Sequence, residues 1–277
     1  MGPSNLIVRT DKLFQGWLTG RQVRRPYVIR KPSRDERSYA KITVGKLLTS
    51  IKTFPRQSLL LGLCMDGLPF LMDLSDPITG SILITGDPGC GKTHHLQVAV
   101  DSTIRTNTPS ELQVAVITHN PGEWRYLRES KQYKIYLQDI HPWYDIRAET
   151  TIQRLTELAE ARRDGKQDGY KVLFILDDIN FIEDLSYEAQ VNLHWLLAYG
   201  AQSGVLLIAS VKSSYANTLS YWLETFRTRI LGRIHSTSNA KILANRSDSK
   251  VFNLEPPNFR VWSGTEWMTY RLPILGD

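Results

Sequence analysis

The chain has 277 residues, of which 42% are hydrophobic and 22% charged, and it carries a net charge of +6. This composition excludes a collagen, a disordered tail and a disulfide scaffold, and the length suits one large domain with an appendage. Since no apolar run approaches the roughly 20 residues that span a bilayer, no signal-peptide core is present and only Cys64 and Cys90 occur, we expect a cytoplasmic protein with no membrane segment of its own.

The positive charge is concentrated near the N-terminus. Residues 1–57 hold 13 Lys and Arg against 3 Asp and Glu, whereas the remainder holds 21 against 25. A basic arm on a slightly acidic body favours a polyanionic partner, nucleic acid before a membrane surface, although a solvated terminal segment gives the same pattern. We therefore divide the chain into a partly irregular basic arm, 1–57, and a body, 58–277.

The first predicted elements are a weak helix and a hairpin. The helix is Thr43–Lys52, within the arm. Two apolar runs, Ser58–Leu63 and Leu68–Asp73, flank Asp66-Gly67, and this combination is typical of two antiparallel strands joined by a turn. The body therefore begins with a β-hairpin.

Strand-like and helix-like segments then alternate. Apolar strands are predicted at Ser81–Thr85, Val114–Thr118, Tyr133–Gln138, Val172–Leu176, Val205–Ala209 and Arg229–Ile234. Helices are predicted at His94–Arg105, Glu149–Arg163, Ser186–Tyr199 and Asn217–Phe226, with Val191, Trp195, Leu196 and Tyr199 near one face of the third. A C-terminal hairpin is predicted at Phe259–Trp262 and Met268–Leu272. Strands without polar alternation, separated by helices, indicate an α/β fold with a mostly parallel sheet covered on both faces.

A phosphate-binding motif follows the first apolar strand of this series. Residues 86–93, GDPGCGKT, match the pattern GxxxxGK[ST] between a predicted strand and a predicted helix. Glycines let the backbone approach phosphate oxygens, and the N–H groups at a helix N-terminus carry partial positive charge. The alternative is a glycine-rich turn that happens to carry Lys-Thr. We predict that ATP binds to Gly86, Asp87, Pro88, Gly89, Cys90, Gly91, Lys92, Thr93 and His94.

Individual side chains of this motif have distinct expected roles. Lys92 places a full charge on the β- and γ-phosphates, and the hydroxyl of Thr93 ligates Mg²⁺. Cys90 lies beside a helix N-terminus, which would lower the pKa of its thiol, although a tolerated small residue is the simpler interpretation. Of His94 and His95, one is expected to face the sheet and the other solvent.

Two acids end another predicted strand. Asp177 and Asp178 follow Val172–Leu176, and ligands bind at the carboxyl ends of parallel strands, so we expect both acids near the phosphate loop. Asp177 would hold Mg²⁺ through water. Asp178, with Lys92, is predicted to be catalytic, because a carboxylate here orients or deprotonates the attacking water. A strand end that merely needs polar residues is the alternative.

Four stretches, in this order, carry a resemblance to a known family. They are the hairpin segment LGLCMDGLPFLMDL at 61–74, the phosphate loop at 86–93, the acidic strand end at 172–178, and the segments 204–214, 228–230 and 236–243. Together they resemble the FtsK/HerA superfamily of DNA-pumping, RecA-like ATPases, and the strand Val114–Thr118 between the two motifs agrees with it. The resemblance implies a RecA-like P-loop core, a hexameric homo-oligomeric ring around duplex DNA, and ATP with Mg²⁺ bound between subunits.

The sequence departs from this family at three positions. Asp178 stands where glutamate is usual, Val211 where glutamine is usual, and Ala201 where an arginine finger is common. Valine cannot donate a hydrogen bond to a γ-phosphate, so Ser210 or Lys212 would have to replace it. Arginines that would supply a charge in trans are Arg227, Arg229 and Arg233, whereas Arg162 and Arg163 are expected to face solvent.

These observations leave three functions open. The first is an ATP-driven DNA translocase or packaging-type motor, favoured by the family segments and the basic arm. The second is a nucleotide-gated assembly or DNA-binding protein with slow or no hydrolysis, favoured by the three departures. The third is a loader or transposition helper of the AAA+ type, disfavoured because a hairpin replaces the helical lid. The tryptophans, Trp124 among them, are interpreted as core residues before base-stacking ones.

Overall fold

A computed structural model of the chain describes residues 7–8, 42–51, 58–74, 76, 79–246 and 254–277. Most of the basic arm lies outside the described residues, so its contact with a polyanion stays a prediction. The described residues form a single eleven-stranded sheet with helices on both faces. The predicted α/β class, with helices covering both faces of the sheet, is confirmed.

The elements follow one another in chain order as strands and mostly short connections. The strands are β1 Ile7–Val8, β2 Ser58–Cys64, β3 Pro69–Asp73, β4 Ile82–Gly86, β5 Leu112–Thr118, β6 Leu137–Pro142, β7 Lys171–Asp177, β8 Val205–Lys212, β9 Thr228–Leu231, β10 Asn258–Trp262 and β11 Trp267–Arg271. The α-helices are α1 Val44–Thr49, α2 Lys92–Thr106, α3 Arg125–Glu129, α4 Lys131–Lys134, α5 Ile146–Arg163, α6 Tyr187–Tyr199, α7 Ser220–Leu223 and α8 Thr237–Ala244. Short 3₁₀ helices lie at Pro121–Trp124, Ile179–Asp184, Gly200–Ser203 and Ser213–Tyr215.

The centre of the sheet is parallel. Six strands run in the order β9-β4-β8-β7-β5-β6, with every neighbouring pair parallel. Helix α2 packs on one face, and helices α5 and α6 pack on the other, which explains why these strands are apolar without polar alternation. In space, β8 lies between β4 and β7, so it separates the strand before the phosphate loop from the strand before the acid pair. The strand between the two motifs in sequence, β5, pairs on the far side of β7.

Both predicted hairpins are present and extend this sheet beyond β9. Strands β2 and β3 pair antiparallel, as do β10 and β11. Strand β11 also pairs with β2, and β10 with β9. The hairpins from the two ends of the body therefore form one antiparallel flank.

Helix α1 contacts the body although the sequence places it in the basic arm. Val44 and Leu47 are buried among residues of β2, β3 and α2. The amide of Val44 donates to the Ile274 carbonyl oxygen at 2.8 Å. The boundary at residue 57 stays a prediction.

Two predicted elements differ in the structure. The strand predicted at Tyr133–Gln138 is displaced, because the chain is helical at α4 and β6 begins at Leu137. Strand β6 lies at the end of the sheet, where polar residues such as Asp139 and His141 are tolerated. Because these residues interrupt the apolar run, the sequence pattern did not predict the full extent of the strand. The helix predicted at Asn217–Phe226 shortens to α7, since side chains such as Thr225, whose Oγ1 donates to the Trp222 carbonyl, compete with the helix backbone.

The outward face of α6 is also different from the predicted one. Of the four residues grouped near one face, Leu196 is buried, whereas Val191 is 49% and Tyr199 is 47% exposed. The face against the sheet carries Ala189, Leu193, Leu196 and Leu197. Because apolar residues occur around much of this helix, periodicity alone does not select the buried side.

Candidate nucleotide-binding site

The phosphate loop joins the end of β4 to the start of α2. Gly91 has φ of 97°, in the left-handed region that favours glycine. A Cβ on Gly86 would lie 2.7 Å from the Cys90 Sγ, so this position also requires glycine. The Lys92 Nζ donates to the carbonyl oxygens of Gly86 at 2.9 Å and Asp87 at 3.2 Å. The loop therefore curves around an ammonium group at a helix N-terminus, an arrangement that attracts phosphate.

Asp177 lies beside this loop and accepts four hydrogen bonds. Its Oδ1 accepts from the hydroxyls of Thr93 at 3.1 Å and Ser210 at 3.0 Å. Its Oδ2 accepts from the Thr118 hydroxyl at 3.3 Å and the Trp124 indole Nε1 at 3.2 Å. Burial raises the pKa of Asp177, and the hydrogen bonds from Trp124, Ser210 and Thr93 oppose that rise. We call these donors the Asp177 cage.

Some contacts of the Asp177 cage were predictable from the sequence and others were not. The two motifs meet as expected, since Thr93 and Asp177 are hydrogen-bonded. Thr118 lies opposite Asp177 in the β5–β7 register, so a polar residue at the end of an apolar strand was a usable signal. Trp124 is fully buried and bonds Asp177, so it is not a base-stacking residue. No local pattern predicts that contact.

Asp178 lies in a different environment from Asp177. It has φ of 69°, and its amide donates to the Ser210 Oγ at 2.8 Å. Its Oδ2 lies 2.8 Å from the Lys212 Nζ, and the pKa of Lys212 is raised by this hydrogen bond. Ser210 and Lys212 share one face of β8, while Val211 is buried on the other. The residues facing the site are therefore the two named as replacements for the missing glutamine.

The Asp87 carboxylate fixes the front of the loop to two neighbouring segments. It accepts hydrogen bonds from the Ser213 hydroxyl, after β8, and from the ring of His235, after β9. The His235 amide also donates to it, at 3.0 Å. Burial favours the neutral acid, but the hydrogen bonds from Ser213 and His235 outweigh it and lower the pKa of Asp87. The loop is thereby anchored on both sides of β4.

Three further residues of the motif region have defined positions. The His94 ring Nε2 bonds the Pro273 carbonyl oxygen at 2.9 Å, so the backbone N–H of His94 would make its predicted phosphate contact. His95 is buried against the sheet and bonds the Tyr270 hydroxyl at 2.6 Å, as one of the pair was expected to do. Burial raises the pKa of the Cys90 thiol, so the expected lowering is wrong. Cys90 fits the alternative, a tolerated small residue.

The donor set at the loop fits magnesium. Mg²⁺ in phosphate sites is held by oxygen ligands, with one or two carboxylates and several waters. The Thr93 hydroxyl and the Asp177 carboxylate supply such oxygens at one point. Across the described ranges, no group of three or more His, Cys, Asp and Glu residues is placed to hold a metal by itself.

Comparisons with known proteins give matches among solved structures. No family model and no curated protein matches the chain. ATPases 2 and 3 of Thermomonospora curvata EccC, solved with a signal sequence peptide, are 16% identical with a TM-score of 0.65 over 80% of this chain and 41% of that one. ATPases 2 and 3 of Geobacillus thermodenitrificans EssC are 16% identical, with 0.63 over 81% and 46%. The pCW3 conjugation coupling protein TcpA with ATPγS is 14% identical, with 0.59 over 80% and 67%.

The chain shares the P-loop ATPase fold of these structures. The RecA-like fold that the resemblance implied is thereby confirmed, and membership of the FtsK/HerA superfamily stays a prediction. The chain spans less than half the length of the EccC and EssC chains that it matches. The roles assigned to Lys92, Thr93, Asp177 and Asp178 stay predictions.

Four of the arginines expected to face solvent or act in trans contact specific groups of their own chain, namely Arg162, Arg163, Arg229 and Arg233. Arg162 is half-buried and donates to the Gly204 carbonyl at 3.3 Å, so it does not simply face solvent. Arg163 is exposed, as expected, and its guanidinium lies 5.1 Å from the centre of the Trp195 ring. Arg229 donates to the Ile242 and Leu243 carbonyls at 2.9 and 3.1 Å. It therefore caps the end of α8 within its own chain.

Arg233 lies on its own phosphate loop. Its Nη2 is 3.4 Å from the Pro88 carbonyl oxygen, and its backbone carbonyl accepts from the Asp87 amide at 2.7 Å. Its charge is therefore placed in cis. Ala201 lies in the 3₁₀ helix before β8, at the edge of the sheet opposite the loop. Within the described ranges, no helix combines the length and apolar character needed to cross a membrane, and the cytoplasmic location stays a prediction.

Proposed function

We propose that this chain is an ATPase that couples hydrolysis of Mg²⁺-bound ATP to the movement of duplex DNA, as a subunit of a homo-oligomeric, hexameric ring. The observation that carries the proposal is the convergence of Lys92, Thr93, Asp177 and Asp178 at one edge of the parallel sheet. A polar strand end that served only folding would not need a hydroxyl of the phosphate loop bonded to the buried carboxylate.

Each group has a chemical task in this proposal. The loop amides and the Lys92 ammonium hold the β- and γ-phosphates, and the Asp177 cage fixes one carboxylate where it meets Thr93. A magnesium ion bound there would neutralise charge on the phosphate oxygens. Asp178 orients the attacking water, and Arg233 adds positive charge beside Pro88.

The DNA and ring parts of the proposal rest on other observations. They come from the family resemblance and from the net charge of +10 on residues 1–57. A second candidate, a nucleotide-gated protein with slow hydrolysis, is favoured by one observation. The Asp178 carboxylate is paired with the Lys212 ammonium at 2.8 Å, so one of its oxygens is occupied by a protein group and not by water.

The proposal is tested by ATP turnover of the full chain with and without duplex DNA, together with its mass in solution. The motor predicts turnover that DNA stimulates and a ring-sized particle. Replacing Arg24, Arg25, Arg30 and Lys31 by Gln should flatten the dependence of DNA affinity on salt, because fewer counterions are released. ATP binding with slow turnover that DNA does not change would favour the second candidate and contradict the motor.

A further inference from the structure

The last three residues of β8, which are Ser210, Val211 and Lys212, lie between the phosphate loop and the acid pair. Side chains alternate along a strand, so Ser210 and Lys212 point to the same face and Val211 to the other. The Ser210 hydroxyl already has two hydrogen-bond partners, because it donates to Asp177 and accepts from the Asp178 amide. Lys212 is the one of these three residues that carries a movable charge.

Lys212 is placed to reach both the acid and a nucleotide. In the β4–β8 register its Cα is opposite Gly86, the first residue of the phosphate loop. Its Nζ is 2.8 Å from the Asp178 Oδ2, and the side chains are 40% and 15% exposed, respectively. A lysine ammonium sits on a flexible four-carbon stem, so a modest rotation moves it from one anion to another.

The two possible partners of Lys212 compete for one charge. While the ammonium bonds the Asp178 Oδ2, that oxygen is occupied and is not free to accept a hydrogen bond from an attacking water. A terminal phosphate held by the loop is a more highly charged anion beside the same strand end. A nucleoside diphosphate lacks that group, so its pull on Lys212 is weaker.

We propose that Lys212 exchanges between Asp178 and the terminal phosphate of ATP, so that Asp178 is freed for the attacking water when a γ-phosphate is present. This inference rests on the proposed ATP site and assigns Lys212 the discrimination between ATP and ADP. It also explains how β8 can contact a terminal phosphate although Val211 cannot. The contact is made by Lys212, one residue further along, on the face of the strand that the valine does not occupy.

The experiment compares the affinities of the full chain for Mg²⁺-ATPγS and Mg²⁺-ADP by calorimetry. Lys212→Ala should weaken ATPγS binding by about tenfold or more and leave ADP binding within about twofold, while turnover falls. Lys212→Arg should restore part of the ATPγS preference, because it keeps the charge. The matched control is Lys166→Ala, which breaks an exposed Lys–Asp pair of the same 2.8 Å length away from the site.

Asp178→Asn provides the opposite perturbation. Without its carboxylate competitor, Lys212 should bind the terminal phosphate more tightly, so ATPγS affinity rises while turnover falls. That rise should disappear in the Lys212→Ala background, which separates exchange from a simple loss of negative charge. An unchanged ratio of ATPγS to ADP affinity in Lys212→Ala, or turnover that increases, overturns the exchange. Failure of the unmodified chain to bind either nucleotide overturns the proposed function instead.

Discussion

Asp177 and Asp178 are consecutive in the chain but lie in contrasting regions. Asp177 is 5% exposed and accepts hydrogen bonds from uncharged donors on four different segments. Asp178 is more exposed, its backbone is in the left-handed region, and its carboxylate pairs with the flexible cation Lys212. A carboxylate fixed by several rigid partners suits holding a metal in one place. A carboxylate whose charged partner is a flexible lysine suits a step that must be switched.

Among the substitutions that test this difference between the two acids, the largest effect is expected at Asp177. Asp177→Asn keeps the shape but removes the negative charge, so ATP turnover should fall by about 10²–10³-fold, the range typical for loss of one preorganised electrostatic contact. Steady-state turnover over a series of Mg²⁺ concentrations measures this. Circular dichroism should show an intact fold. Turnover close to that of the unmodified chain would remove Asp177 from the magnesium site.

The cage is tested separately through Trp124. Trp124→Phe keeps a buried ring but removes the indole N–H from the Asp177 Oδ2, so the free energy of unfolding should fall by about 1–3 kcal/mol. The Mg²⁺ concentration for half-maximal turnover should rise as the carboxylate loses one fixed partner. Trp143→Phe is the control, because its Nε1 donates to the exposed His119 and not to the site. Equal effects of the two changes would show that the indole bond does not position Asp177.

A second pair of consecutive residues, His94 and His95, also differs in burial, and this difference affects the stability of the fold. Burial lowers the pKa of His95 to about 3, so the folded protein keeps it neutral while the unfolded chain takes up a proton near pH 6.5. Stability is therefore lost as pH falls from about 6.5, by about 1.4 kcal/mol per pH unit from this group.

Urea denaturation between pH 7 and pH 5 measures that slope. His95→Gln should flatten it, and His94→Gln, at a partly exposed position, should leave it unchanged. An equal slope in all three proteins would contradict the buried neutral imidazole.

The sequence indicated which residues meet at the candidate site, but not the contacts that hold them there. Lys92, Thr93, Asp177 and Asp178 were identifiable because each ends or follows an apolar strand within a short motif. Trp124 was not, because its contact with Asp177 joins residues 53 positions apart. The pairing of Lys212 with Asp178 depends likewise on β8 lying between β4 and β7, an order that no local pattern contains.

The same limit explains the errors in the fold. The central strands were predicted because burial on both faces makes them uniformly apolar. Strand β6 at the end of the sheet carries polar residues, and α6 is apolar on more than one side, so neither follows the simple periodic rule. Side-chain competition for the backbone, as at Thr225, shortened α7.

Calorimetric titration of Mg²⁺-ATPγS into the full chain and into Lys92→Ala tests most directly whether residues 86–93 and Asp177 form a nucleotide site. The predicted result is saturable binding at one site per chain that weakens by at least about 100-fold in the variant, because the variant lacks the ammonium that we expect to contact the β- and γ-phosphates. No binding to the unmodified chain, or equal binding to both proteins, would contradict it.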